Sequence, residues 1–140
     1  MKQVAVLFGA ILMAALAGAH GLGFAAMMQV AYGAISVMAL LISATFFWLW
    51  HERATPLALG MSLSWAGTGF TIGWWWLMRV LGDPAWGMEA AALFVFLSLL
   101  ICGAVLHFAV IQGSFGLRGL AFVWPVLGAF AMSLGVLLFL

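Results

Sequence analysis

The stretch FFWLWHERATP, residues 46 to 56, holds the first acidic residue of the chain, Glu52, and the first arginine, Arg53. Between Lys2 and Glu52 there is no Asp, Glu, Lys or Arg. Tryptophan, histidine, an acid, a base and a proline then arrive together. Trp48 and Trp50 suit the headgroup layer of a bilayer, where an amphipathic ring is stable, and His51, Glu52 and Arg53 lie beyond it. Thr55 followed by Pro56 has the pattern of an N-cap with proline at the first helical position. The stretch predicts the point where one helix leaves a membrane and the next begins.

Composition supports that reading. Of 140 residues, 69% are hydrophobic and 5% are charged, against roughly 25% charged in a soluble domain. So few charges cannot cover a water-facing surface, which makes lipid the expected solvent. In lipid, backbone polar groups must be satisfied internally, by helices or a closed barrel. The apolar runs lack the period-two alternation of barrel strands, and helices are expected. A net charge of +1 without a basic run argues against nucleic acid as a partner. The single cysteine, Cys102, excludes a disulfide within one chain and any thiolate-rich metal site.

The expected architecture is an all-α integral membrane protein, a bundle of five transmembrane helices forming one polytopic domain over residues 1–140. The helices are placed at 4–17, 24–50, 57–79, 86–112 and 120–140. The first two are separated by the glycine-rich AGAHGLG at 17–23. Gly82 is expected to close the third helix, with Asp83 capping and Pro84 opening the fourth. Pro125 is expected to bend the last helix. Residues 1–19 also resemble a secretory signal, with Lys2, an apolar run and a small-residue site, and its removal would leave four helices. With five spans, Lys2, Arg53 and Arg118 share one side and Arg79 takes the other. The positive-inside rule then puts the N-terminus in the cytoplasm and the C-terminus outside, and the expected location is a bacterial-type inner membrane.

Several residues are candidates for function. In the third helix Gly60, Ser64, Gly67, Gly69 and Gly73 are small residues that let helices approach closely. In the second, Gln29, Gly33, Ser36 and Ser43 form a polar stripe expected to face protein. Glu89 is expected about one turn into the fourth helix, where the helix dipole favours a carboxylate. Gln29, Ser36 and Glu89 are the candidates for a transport path. His51 and His107 are the candidate cofactor ligands, because two imidazoles from facing helices can hold haem iron. Their expected depths differ, and neither a metal site nor a bound cofactor is expected. No nucleophile has an activating base, so no enzymatic activity is expected.

The sequence thus points to a small membrane protein acting through helix packing, as an accessory or assembly subunit of a larger complex. Its expected partners are the bilayer and other membrane subunits or copies of itself. Two alternatives stand beside it: a small oligomeric transporter or channel, and a subunit binding haem, pigment or quinone.

Overall fold

The computed structural model describes residues 2–116 and 119–139. Arg118, expected on the Arg53 side, lies outside the described residues. The chain forms helices α1 (Lys2–Leu22), α2 (Phe24–Arg53), α3 (Pro56–Val80), α4 (Ala92–Ser114) and α5 (Trp124–Phe139), with short 3-10 turns at Ala85–Gly87 and Ala121–Val123. No strand occurs among the described residues.

The tight turn at the opening stretch forms as expected in outline. α2 continues through His51, Glu52 and Arg53, and Ala54 takes a left-handed conformation at φ 50°. Thr55 is then extended and Pro56 begins α3, although the Thr55 side chain makes no capping bond. Two residues therefore join α2 and α3.

The end of the first helix and the start of the fourth are corrected, and so are the expected roles of Asp83 and Pro125. α1 does not end at residue 17 but runs through Gly18, His20 and Gly21 to Leu22, and only Gly23 breaks it, at φ +86°. Glycine permits a turn without requiring one, and here one positive φ suffices. The fourth helix begins at Ala92, not at residue 86. α3 ends in a Schellman motif: Asp83 N–H donates to the Met78 carbonyl at 2.8 Å and Gly82 N–H to the Arg79 carbonyl at 3.2 Å. Asp83 is itself left-handed at φ 54° and so cannot serve as an extended N-cap. Pro84 instead leads into the 3-10 turn. Finally, Pro125 is the second residue of α5, where its missing N–H costs nothing, so it starts the helix and does not bend one.

Four segments are long and apolar enough to cross a membrane: Lys2–Leu22, Phe24–Arg53, Ala85–Ser114 and Ala121–Phe139. α3 is not among them, although it has 25 residues. Its glycines, serines and threonines dilute its apolar side chains, and its position explains them. α2 and α4 both pack extensively on α3, and the substantial helix contacts all join neighbours in sequence. The bundle is thus a row with α3 at its centre. Buried positions are mostly small: Gly33, Ser36, Ala39 and Ser43 on α2, then Ala58, Gly60, Ser62, Gly67 and Gly69 on α3. Such close-packed seams of small residues are how helices associate where no hydrophobic effect drives them together.

Candidate functional site

α3 meets α2 and α4 through nearly opposite faces, because its residues advance about 100° each. The face toward α2 carries Ser62, Gly69, Gly73 and Trp76. Ser43 donates its hydroxyl to the Ser62 carbonyl at 2.8 Å, and Ser62 returns a bond to the Ser43 carbonyl at 3.0 Å. Ser36 donates to the Gly69 carbonyl at 2.8 Å. A Cβ at Gly73 would lie 2.5 Å from Ser36 Oγ, and one at Gly33 would lie 2.9 Å from the Trp76 ring. The seam is therefore a ladder of hydroxyl-to-carbonyl bonds set between glycines. Each of these hydroxyls donates to a carbonyl of the facing helix that already accepts within its own helix, so none of the three is left unpaired.

The face toward α4 carries Gly60, Ser64 and Gly67. A Cβ at Gly67 would stand 2.5 Å from the Leu100 nitrogen, and one at Gly60 would stand 3.2 Å from the Gly103 carbonyl. Gly103 answers from α4: a Cβ there would run into the backbone nitrogen and hydroxyl of Ser64. The sequence reading passed over Gly103. Its signal was present, since it is the lone glycine between Ala92 and Gln112. Farther along, Phe70 stacks on Phe96 at 5.3 Å and Trp74 meets Phe96 edge-on at 6.0 Å. Trp74 also donates its indole N–H to the Gly87 carbonyl at 2.9 Å, fastening the 3-10 turn onto α3.

That turn places Glu89. It lies three residues before α4, exposed, with a backbone bond from its N–H to the Trp86 carbonyl. The expected position one turn inside the helix is corrected. The reason is again Asp83, whose left-handed backbone completes α3 and delays the next helix.

The other singled-out residues are dispersed. His51 is exposed at the end of α2. His107 is half-buried on α4, its backbone beside Gly60. The two helices flank α3 on opposite faces, which does not bring the imidazoles together. Ser36 is buried and bonded within the α2–α3 seam, while Gln29 is exposed about two turns away along α2. Among the described residues no group of three or more His, Cys, Asp or Glu side chains is placed to hold a metal ion. Near the other end, Gln112 is buried and donates from Nε2 to the Gly119 carbonyl at 3.0 Å.

One feature joins residues that the sequence kept apart. Gln29 and Tyr32 of α2 face Ile72, Trp75, Trp76 and Arg79 of α3 across a groove of about 270 Å³. It lies at the Asp83 end of the seam, where the tryptophans of α3 gather. Only the antiparallel register of α2 and α3 makes these residues neighbours. No family model matches the chain, and searches of curated proteins and of solved structures returned no significant match.

Proposed function

We propose that this protein is a packing subunit of a larger assembly in a bacterial-type inner membrane, built around the α2–α3–α4 row. The observation that carries the proposal is the contrast between that row and its flanks. The buried hydroxyls of Ser36, Ser43 and Ser62 are all spent on holding α2 to α3. α1 and α5, by contrast, bury no residue at all. A helix that touches its own chain only at one edge and buries none of its residues is available to another chain. Helix association in lipid depends on close contact and not on hydrophobicity, so such a flank gains by meeting a protein surface. A transport path through Gln29, Ser36 and Glu89 has less support, because Ser36 is committed to Gly69 and Glu89 sits on an exposed loop.

Photo-crosslinking tests the proposal. A crosslinking residue at Ile11 of α1 or Met132 of α5, both exposed, is expected to capture one defined protein, or a second copy, in native membranes. Adducts with lipid alone at both positions would overturn it.

The proposed topology has five crossings with a cytoplasmic N-terminus. α3 is clamped along its length by two helices apolar enough to span, and its 25 residues reach about 37 Å. In a Cys102→Ser background, single cysteines at positions 53 and 83 are expected to react with an impermeant maleimide from opposite sides. Reaction from one side would mean that α3 does not cross.

A further inference from the structure

The groove between α2 and α3 has a chemistry that helix packing does not use. Arg79 brings a cation with several donors, Gln29 an amide and Tyr32 a hydroxyl, all at one end of the seam. Trp75 and Trp76 give the groove an aromatic wall, and Ile72 continues it toward the middle of the helix. Trp75 also lines an adjoining cavity of about 170 Å³, whose rim carries Asp83. Trp75 therefore borders both the groove that holds the Arg79 guanidinium and the cavity whose rim carries the Asp83 carboxylate.

That order of groups matches a phosphate joined by a short link to a primary ammonium. We infer that the groove binds the headgroup of a zwitterionic phospholipid of the ethanolamine class. The phosphate accepts hydrogen bonds from Arg79, Gln29 and Tyr32, and arginine suits phosphate because its planar fork can donate twice. The ammonium rests against Trp75, the best of the aromatic faces for a cation, and toward Asp83. The acyl chains run inward past Ile72. An anionic headgroup would gain Arg79 but would meet Asp83 with no cation of its own to offer it. The aromatic belt places this groove at the depth of headgroups. The inference rests on α2 and α3 lying in the membrane and is independent of any partner subunit.

The test is native mass spectrometry of the purified protein, delipidated and then given equimolar dioleoyl-phosphatidylethanolamine and dioleoyl-phosphatidylglycerol. The ethanolamine lipid is expected to be retained preferentially by about threefold to tenfold, the size of one exposed ion pair plus a cation–π contact. Arg79→Gln is expected to lose both lipids. Asp83→Asn is expected to keep binding but lose the preference, and asparagine tolerates the left-handed backbone of that position. Arg53→Gln, in a different groove with Trp48 and Glu52, is the control and should bind as the parent does. Soluble phosphoethanolamine at the same concentration should displace nothing. Equal or stronger retention of the glycerol lipid by the parent overturns the inference. So does unchanged binding in Arg79→Gln, equal loss in Arg53→Gln, or displacement by the free headgroup. Circular dichroism of each variant confirms folding, which is expected because Arg79 and Asp83 are both exposed.

Discussion

Gly103→Leu is expected to keep α4 from docking on α3 and to destabilise the protein by about 3 kcal/mol, the upper end of the usual overpacking cost. The obstacle is what makes this position severe. Even a Cβ at Gly103 would meet the backbone nitrogen of Ser64, and the Gly60 carbonyl would lie 2.7 Å away. Backbone cannot rotate out of the way, so α4 must move as a whole. Moving it would also separate Gly67 from Leu100 and Phe70 from Phe96, because one rigid face carries all three contacts. Gly73→Leu should be milder. There the nearest atom is Ser36 Oγ, a hydroxyl that can rotate at the loss of one hydrogen bond.

Helix propensity works against this expectation and makes it discriminating. Replacing glycine by alanine inside a helix ordinarily stabilises by about 1 kcal/mol. Gly103→Ala should nonetheless destabilise, while Gly128→Ala and Gly135→Ala in α5 should be neutral or stabilising, since nothing lies within 4 Å of either position. The measurement is the temperature of irreversible loss of monodisperse protein in mild detergent, compared across the three alanine variants. If Gly103→Ala behaved like the two α5 variants, α4 would not be seated on α3 as described.

These contrasts bear on how far the residues alone disclose the architecture. Trp48 to Pro56 announced the α2–α3 turn because aromatic rings, charges, an N-cap residue and proline each carry an independent local signal. Gly82 announced the end of α3 for the same reason. Asp83-Pro84 misled because the pair fits two local patterns, a helix N-terminus and the tail of a Schellman motif. Which one operates depends on whether Met78 and Arg79 carbonyls need donors, and that is a property of the helix already formed. Glu89 was misplaced as a consequence. The glycines at 18, 21 and 23 are alike in sequence, yet only Gly23 takes a positive φ.

The lateral arrangement was less legible still. Gly60, Ser64, Gly67, Gly69 and Gly73 are legible as small residues suited to close packing, but not as two sets turned toward different helices. Periodicity gives the angle between two residues but not which neighbour each meets. That same small-residue content lowers the hydropathy of α3, so the helix with the most protein contact looks the least like a membrane span. The Gln29–Arg79 groove could not be read at all, because it exists only once α2 and α3 have fixed their register.

That register is itself testable at Ser43 and Ser62, where single and double alanine variants should show additive losses. Each hydroxyl donates to the other residue's backbone carbonyl, at 2.8 and 3.0 Å, whereas the two hydroxyl oxygens are 3.4 Å apart. Ser43→Ala removes one bond and leaves the acceptor of the other in place. Ser62→Ala does the converse. Neither change orphans an acceptor, because the carbonyls retain their helical partners. Each single variant should therefore cost about 0.5 to 1 kcal/mol, near the mean for interhelical hydrogen bonds in membranes. The double variant should cost about 1 to 2 kcal/mol, with a coupling energy below roughly 0.5 kcal/mol. A coupling well above that value would mean that the hydroxyls bond chiefly to each other. α2 and α3 would then sit closer at this level, or in a different rotation, and the reciprocal ladder would not be what fixes their register.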